Sequence, residues 1–319
     1  MMNQELIELL ACPDCGSGDL TVTSGDGLCC PSCRNRYTVI NGVPQMLPRD
    51  LAATLDMKEE YTGKLMEAMR EGKRIDGPDS VEIDRFMWEH HLYDWGKQVI
   101  FTSNDAAKIY SSYAERGARD LCRSLADIAG GVSGKRLLYV GSGTDSMVTL
   151  PLQRDGAFIV NLDIVNESMQ DITAMGASAC VCGDIRRLPF EDESFDIVFS
   201  KGSLHHSQPI DEPLRSMVRV TKRGGHIVLV EPNKYMTIPR RRLPRGLAVP
   251  TPYEHHISSR DVAGILSDAS VADIRVDAFT HAPPGTPGLL SRIWERLGGA
   301  VSWPLKHIAF EFIVRGRKK

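Results

Sequence analysis

The sequence predicts an α/β protein with a doubly wound, mostly parallel sheet, preceded by a small cysteine-rich module. From residue 134 onward, apolar stretches of strand length alternate with longer amphipathic stretches, as in repeated βαβ units. Five of the eight cysteines lie between residues 12 and 33, in a stretch with little helical periodicity. The chain of 319 residues is long enough for one large domain and one small one.

Composition and charge exclude several classes of protein. A hydrophobic content of 42% and a charged content of 25% are ordinary for a soluble globular chain, and a net charge of −3 argues against a protein coated in nucleic acid. Apolar runs fall short of the ~20 residues that span a bilayer, and the N-terminus lacks the features of a secretory signal. We therefore expect a protein of the reducing cytoplasm whose clustered cysteines bind metal rather than form disulfides.

The strands of the sheet are predicted from short apolar runs. Five of them are expected to form its centre: 136–140, 158–162, 179–182, 195–199 and 226–230. Two later runs, at 274–279 and 308–314, predict two further strands.

Helices are expected between these strands. The first follows the glycine turn at residue 141 and ends or kinks near Pro151. Others are expected over 167–175 and around 213–220, the latter ending in a basic last turn at 222–225 with a glycine stop. Ser258 begins a further helix, and 49–133 carries charged, helix-like patterns broken near Gly72.

Polar residues follow three neighbouring strands at the points where those strands end. Gly141 and Gly143 come directly after the first strand, Asp163 ends the second, and Asp184 follows the third. In open α/β sheets, ligands bind at this carboxyl edge, where glycine lets the backbone approach a ligand and an acid can hydrogen-bond ribose hydroxyls. Asp163 as a helix cap and Asp184 as a simple turn residue are the structural alternatives. Together the residues favour a nucleoside cofactor.

These motifs resemble those of class I S-adenosylmethionine-dependent methyltransferases of the type 11 group. The resemblance covers about 134–235 and rests on the segments 138–144, 183–196, 204–206 and 219–225. It implies a seven-stranded Rossmann-like sheet whose last strand runs antiparallel, with Asp163 on the ribose and Asp184 on adenine. The cofactor-binding residues that we expect are Tyr139, Gly141, Ser142, Gly143, Asp145, Asp163, Ile164, Asp184, Ile185, Ser200 and Lys201.

The chain departs from the family's pattern at two positions. Tyr139 stands where the family usually has an acid, and Asp145 stands where it has a third glycine. Asp145 is a candidate to replace the missing acid and hold the ammonium of S-adenosylmethionine; the alternative is an acid stabilised at a helix N-terminus. A nicotinamide dinucleotide fits poorly, because its fingerprint requires glycine at the position of Ser146.

Several histidines are candidates for a general base. His205 and His206 lie just past the fourth strand, near where the methyl group should point, and His255 and His256 form a second pair. Structural roles are the alternative for both pairs. His90 and His91 lie in an aromatic-rich segment that predicts a substrate lid or, alternatively, a core helix.

The cysteine module has the spacing of a structural zinc site. Cys12 and Cys15 form one C-x₂-C knuckle, and Cys30 and Cys33 form a second one; Cys29 is a spare thiol. Four thiolates so spaced can surround Zn²⁺ tetrahedrally and leave no position for water. The segment 6–48 resembles the small zinc-ribbon domain of a methyltransferase activator. We expect a zinc ribbon at 1–48, a helical linker or lid region at 49–133, and a methyltransferase domain at 134–319.

The methyl acceptor is the least constrained expectation. We favour a hydroxyl of a small or lipid-linked metabolite; the alternatives are a base of ribosomal or transfer RNA, and a cofactor-dead protein that uses its zinc ribbon as a binding module. A basic stretch contains Lys234, Arg240, Arg241, Arg242 and Arg245, and the chain ends on a basic run, 315–319. Either could contact phosphate or a membrane surface, or be an ordinary solvated segment.

Overall fold

The computed structural model describes residues 2–23, 27–50, 104–207, 209–233, 257–280 and 311–319, without the side chains of 104–113, 206 and 280. The chain begins with a one-turn helix, α1 (Gln4–Ile7), because the Asn3 side chain accepts from the backbone N–H groups of Glu5 and Leu6. Three short strands, β1 (Thr21–Val22), β2 (Leu28–Cys29) and β3 (Arg36–Tyr37), then form an antiparallel sheet.

A second hairpin of the N-terminal segment joins the main sheet. Its strands are β4 (Val39–Ile40) and β5 (Val43–Met46), and the turn between them uses Asn41 and Gly42 at φ values of 49° and 85°. Asn-Gly favours such a tight hairpin because both central residues must adopt positive φ. β5 runs parallel to the third central strand, with Gln45 opposite Cys182 and Met46 opposite Gly183.

The central sheet has the predicted parallel core. Its remaining strands are β6 (Arg136–Val140), β7 (Phe158–Asp163), β8 (Cys180–Gly183), β9 (Phe195–Lys201), β10 (Thr221–Pro232), β11 (Val271–Thr280) and β12 (Glu311–Lys318). The strand order is β11-β12-β10-β9-β6-β7-β8-β5-β4. β12 is antiparallel to both of its neighbours, which confirms the expected antiparallel last strand. The predicted seven strands are all present, and β4 and β5 extend the sheet to nine.

Helices cover both faces of this sheet, so the predicted α/β fold is confirmed. They are α2 (Asn104–Ala129), α3 (Ser146–Arg154), α4 (Asn166–Ala174), α5 (Asp211–Val220) and α6 (Ser259–Asp268). Alternate residues of each strand enter opposite cores, as the period of two requires: Leu137 packs with α2 and α3, whereas Leu138 packs with α5 and α6. None of the helices within the described ranges combines the length and the apolarity that a bilayer crossing requires.

The structure corrects the predicted elements at several ends. Residues 222–225 do not form the last turn of a helix; α5 ends at Val220, and β10 already begins at Thr221. Pro151 lies inside α3, which continues to Arg154. β12 continues past the predicted end at 314 and takes in most of the basic run, since its residues pair with both β10 and β11. Ser258 caps α6 as predicted, its hydroxyl accepting from the N–H of Asp261 at 3.2 Å.

Candidate functional site

The glycine turn lies at the carboxyl end of β6, where its two glycines meet different needs. Gly141 has a φ of +65°, and a Cβ there would lie 2.3 Å from Oγ of Ser203, so a side chain would be both strained and obstructed. Gly143 has a φ of +50°, and no described atom lies within 4 Å of the point where its Cβ would stand. The turn is therefore packed against the protein on one side and open on the other.

Asp163 is directly attached to this turn. Its Oδ2 accepts a hydrogen bond from the backbone N–H of Gly143 at 2.8 Å, and its Oδ1 accepts from the N–H of Val165 at 3.1 Å. The second bond closes a turn before α4, whose N-cap is Val165 without a side-chain cap, so Asp163 does not cap that helix; the first bond brings the carboxylate to the glycine turn. The residue is 9% exposed. Asp163 thus fixes the turn and presents an acid beside its open side.

Asp184 is buried and forms an ion pair within its own loop. It is 1% exposed, and its Oδ2 lies 2.9 Å from Nη2 of Arg186. Its Oδ1 also accepts from the backbone N–H and from Nε of Arg186, at 2.9 and 3.1 Å. The expected contact with adenine therefore requires the Arg186 guanidinium to move or to become part of the adenine pocket.

Asp145 joins three elements at the start of α3. Its Oδ1 caps the helix by accepting from the N–H of Val148 at 3.3 Å. Its Oδ2 accepts from the hydroxyl of Tyr139 at 2.9 Å and from Nζ of Lys201 at 3.2 Å. Burial raises the pKa of Tyr139 well above its ordinary value, so the phenol stays protonated and remains a donor. Tyr139 and Asp145, the two departures from the family's pattern, are thus in direct contact.

The other expected cofactor residues lie on the same edge. Ser142 is buried within the turn, and Ile164 and Ile185 follow the ends of β7 and β8, half-buried. Ser200 is buried, and its hydroxyl lies 2.6 Å from the hydroxyl of Ser203. All eleven expected residues therefore stand at the carboxyl edge of the sheet or in the loops that leave it. Their role in cofactor binding stays a prediction.

His205 forms a buried pair with an acid that sequence reasoning missed. Its Nδ1 lies 2.8 Å from Oε2 of Glu231, at the end of β10, and Glu231 is 0% exposed. Oε1 of Glu231 accepts from the backbone N–H groups of Ser203 and Leu204 at 3.1 and 2.9 Å. The signal was present, because Glu231 follows a buried strand just as Asp163 and Asp184 do.

The side chains of the other histidine candidates lie outside the described residues. His206 lies in the same 3₁₀ turn, 204–206, but its side chain is outside the described residues. His90, His91, His255 and His256 also lie outside them, as does the basic stretch 234–245. In the basic run, Arg315 pairs with Asp277, and Nη2 of Arg317 lies 3.4 Å from Oδ2 of Asp273. The membrane or phosphate contact of that run stays a prediction.

The four knuckle cysteines converge as the spacing predicts. The Sγ atoms of Cys12, Cys15, Cys30 and Cys33 all lie within 4.8 Å of one another. Cys12 and Cys33 are 3.5 Å apart, as are Cys15 and Cys30. A tetrahedral Zn²⁺ with Zn–S bonds of about 2.3 Å places its sulfurs about 3.8 Å apart, so this cluster fits the ion with little adjustment. Cys29 is outside the cluster.

Groups around this cluster hold the knuckles in place. The Tyr37 hydroxyl lies 3.0 Å from Sγ of Cys12 and donates to Oδ2 of Asp14 at 2.9 Å. Asp14 also accepts from the backbone N–H of Arg49 at 2.9 Å and from the side chain of Asn35. Such outer hydrogen bonds orient metal ligands, which strengthens the case for a structural ion.

The module is joined to the loop that contains Asp184. The N–H of Ala11 donates to the carbonyl of Pro189 at 3.0 Å, and the N–H of Glu191 donates to the carbonyl of Leu9 at 2.9 Å. Cys12 and Cys30 belong to the same buried core cluster as Leu138 and Leu162 of the central strands. The cysteine cluster is therefore packed into the main body of the protein.

Comparison with known proteins agrees with this geometry. Residues 138–229 match the family model described as a methyltransferase domain. A demethylmenaquinone methyltransferase of Beutenbergia cavernae is 34% identical over 110 residues, which are 34% of this chain and 45% of that protein. A ubiquinone/menaquinone biosynthesis C-methyltransferase of Idiomarina loihiensis is 30% identical over 117 residues, 34% of this chain and 47% of that protein. The match thus spans less than half of each relative's length.

One solved structure has a similar fold. The magnesium protoporphyrin IX methyltransferase of Synechocystis PCC 6803, solved with bound S-adenosylmethionine, aligns with a TM-score of 0.51 at 14% identity. The alignment covers 77% of this chain and 100% of the other. This likeness shows the Rossmann-like α/β fold, and the family match alone identifies residues 138–229 as a methyltransferase domain.

Proposed function

We propose that the protein transfers a methyl group from S-adenosylmethionine to a small-molecule acceptor. The observation that carries the proposal is the hydrogen bond from Gly143 N–H to Asp163, which holds an acid beside an open, side-chain-free turn at the carboxyl end of β6. A nucleoside needs this combination, with backbone space for the ligand and an acceptor for ribose hydroxyls. The match of residues 138–229 to a methyltransferase domain supports this ligand over a dinucleotide.

The residues at this edge fit the two ends of the cofactor. Asp163 would accept from the ribose, and the loop of Asp184 and Ile185 would surround adenine. At the amino-acid end, Lys201 and Asp145 form an ion pair whose charges complement the carboxylate and the ammonium of the ligand. On binding, Lys201 would pair with the carboxylate of the ligand and Asp145 with its ammonium, so that each charge keeps a partner.

The chemistry requires alignment and the removal of one proton. When bound, S-adenosylmethionine would supply a sulfonium-bound methyl group that the acceptor attacks in line, with S-adenosylhomocysteine as the leaving group. We assign the proton removal to His205, since the 204–206 turn follows β9 at the same edge as the glycine turn. A positioned general base contributes about 10²–10⁴-fold to such a step.

The relatives favour a carbon atom as the final methyl acceptor. Both named relatives are quinone-pathway methyltransferases, and one is named a C-methyltransferase. The sequence led us to expect a hydroxyl acceptor, which these names do not support. The two readings share a step, because removing a proton from a ring hydroxyl makes the neighbouring ring carbon nucleophilic. We therefore propose a reduced, hydroxylated aromatic ring, methylated on carbon, as the acceptor class.

The four cysteines are proposed to hold one structural Zn²⁺. The four positions are all thiols, so a bound ion would have a complete protein shell, as in structural sites. It would stabilise the N-terminal segment and take no part in the chemical step.

Cofactor binding can be tested directly by calorimetry with S-adenosylmethionine. We expect a single site in the wild-type protein, and a Kd at least about tenfold higher in Asp163→Asn, because the amide loses charge and one acceptor. Asp171→Asn is the matched control, since Asp171 lies on the exposed side of α4. Equal affinity of the wild type and Asp163→Asn would contradict the assignment of Asp163, and an absence of binding would overturn the proposed function.

The acceptor class can be tested with tritiated S-adenosylmethionine and chemically reduced demethylmenaquinone. We expect the lipid product to contain a tritiated methyl group bound to a ring carbon, which reagents that cleave ethers do not remove. If ether cleavage removes the label, the methyl group is on oxygen, and the hydroxyl is the acceptor. Salt-sensitive labelling of RNA in place of the quinol would favour the RNA alternative, since phosphate contacts give a steep salt dependence.

A further inference from the structure

We infer that Glu231 is a positioning residue: it fixes the tautomer and the orientation of His205, so that Nε2 of the imidazole is the proton acceptor. This inference rests on the proposed function, because it assigns a role in the same proton removal. Glu231 lies on a different strand, β10, outside the motifs of the glycine turn.

The hydrogen bonds of Glu231 leave it a single arrangement. Oε1 is held by the two backbone N–H groups of Ser203 and Leu204, so the carboxylate cannot rotate without losing both bonds. Oε2 is thereby directed at Nδ1 of His205, at 2.8 Å. Glu231 is fully buried and His205 is 7% exposed, so water cannot easily replace either partner.

This arrangement decides which ring nitrogen carries the proton. A carboxylate can only accept a hydrogen bond, so Nδ1 must be the donor. In the neutral imidazole the lone pair then lies on Nε2. When Nε2 takes the proton of an acceptor hydroxyl, the ring becomes an imidazolium that keeps its Nδ1–H on Glu231, and the negative charge of Glu231 stabilises it. After methylation, the proton on the methylated carbon is lost to water as the ring becomes aromatic again, and Nε2 returns its proton to the ring oxygen.

The same loop is attached to the glycine turn, which places the pair at the site. The hydroxyl of Ser203 donates to the carbonyl of Val140 at 3.2 Å, and the Ser203 side chain fills the space beside Gly141. Ser203 also donates its N–H to Glu231. One residue therefore connects the turn that would hold the cofactor with the acid that holds His205.

A purely structural role would not require a charged side chain here. A glutamine could accept the same two backbone N–H bonds through its carbonyl oxygen at a similar volume. Burying a carboxylate is unfavourable unless its partners compensate. The property that glutamine lacks is an acceptor facing Nδ1, because its NH₂ group would donate instead. The charge is thus explained by His205.

The test is Glu231→Gln, which keeps the shape of the side chain and reverses the direction of its hydrogen bond with Nδ1 of His205. An amide NH₂ that faces Nδ1 forces the proton onto Nε2, so the base is lost while the fold remains. We expect kcat for reduced demethylmenaquinone to fall about 10²-fold or more, with the Kd for S-adenosylmethionine within threefold of wild type. Long-range ¹H–¹⁵N spectra should show His205 as the Nδ1–H tautomer in the wild type and as the Nε2–H tautomer in the variant; His205→Asn identifies the signal.

Asp196→Asn is the matched control, an acid-to-amide change in the neighbouring strand β9 at the opposite edge of the sheet. It should leave kcat unchanged. An Nε2–H tautomer in the wild type overturns the inference, even where the variant does not fold. A wild type that binds the cofactor and transfers methyl, with Glu231→Gln equal to it in kcat, overturns the positioning role alone. A wild type that does neither overturns the proposed function as well.

Discussion

At the scale of single residues, the hydrogen-bond and ion-pair partners of three carboxylates determine the geometry of this site. Asp163 accepts hydrogen bonds from two backbone N–H groups, Asp184 forms an ion pair with Arg186, and Asp145 forms an ion pair with Lys201. Each acid is thereby held in one orientation. The positions could be found from the sequence, because an acid after a buried strand is a local signal. The pairing could not, since Lys201 and Asp145 are 56 residues apart along the chain.

The ammonium-binding role of Asp145 can be separated from its capping role by one substitution. Serine is as good an N-cap as aspartate, but it has no charge. We expect Asp145→Ser to keep the cap, to lose about 1–2 kcal/mol of unfolding free energy because the buried Tyr139 hydroxyl loses its acceptor, and to bind S-adenosylmethionine about tenfold more weakly. Urea denaturation and calorimetry measure the two quantities.

Asp145→Ala is the comparison variant for this prediction. It lacks the cap as well as the acceptor of the Tyr139 hydroxyl, so we expect a further loss of about 1 kcal/mol in the free energy of unfolding relative to Asp145→Ser. Should Asp145→Ser bind the cofactor as tightly as wild type, Asp145 is a cap and nothing more.

At the scale of elements, the opposite edge of the sheet is held by Asp196. Its carboxylate accepts from the backbone N–H of Arg136 at 2.8 Å and from Nζ of Lys222 at 2.9 Å, which ties β9 to β6 and β10. Burial by itself would raise the pKa of Asp196, but the bonds from Lys222 and Arg136 outweigh it and hold the pKa below its ordinary value. The lysine belongs to the segment that the sequence assigned to a helix end.

The contribution of Asp196 to stability should depend on pH. Because its folded-state pKa lies below the unfolded one, its stabilisation is complete above the unfolded value of about 4 and disappears as the pH falls through the folded value. The side chain is 30% exposed, so we expect Asp196→Asn to cost only about 1 kcal/mol at pH 7. Urea denaturation at pH 7 and pH 3 measures this. A difference between wild type and variant that persists at pH 3 would assign the effect to packing.

At the scale of the whole molecule, the cysteine module and the methyltransferase sheet share one core. β5 pairs with β8, and isolated bridging between Leu10 and Phe190 joins α1's loop to the segment after Asp184. The sequence predicted a boundary at residue 48, which stays a prediction. The backbone bonds between the two parts attach the module to both sides of Asp184, whose loop is proposed to surround adenine.

Removal of the metal should therefore weaken cofactor binding as well as stability. We expect the purified chain to hold one zinc, and Cys30→Ser to lose it, to lower Tm and to raise the Kd for S-adenosylmethionine several-fold, since a small module of this kind depends on its metal. Elemental analysis, thermal unfolding and calorimetry measure the three effects. Cys29→Ser is the control, because Cys29 is outside the cluster. Unchanged affinity in a zinc-free Cys30→Ser would show that the module is energetically separate.

The sequence by itself determined what depends on local pattern. Short apolar runs predicted the strands at 136–140 and 158–162, and the pair of glycines predicted the turn at 141–143. The spacing of the two knuckles predicted that the four thiols converge. These signals are local because backbone geometry and hydrophobic period act over a few residues. Only the tertiary structure decided which distant groups meet: Glu231 with His205, Lys201 with Asp145, and β5 with β8. Such contacts depend on strand order, and strand order is set by the packing of the whole core.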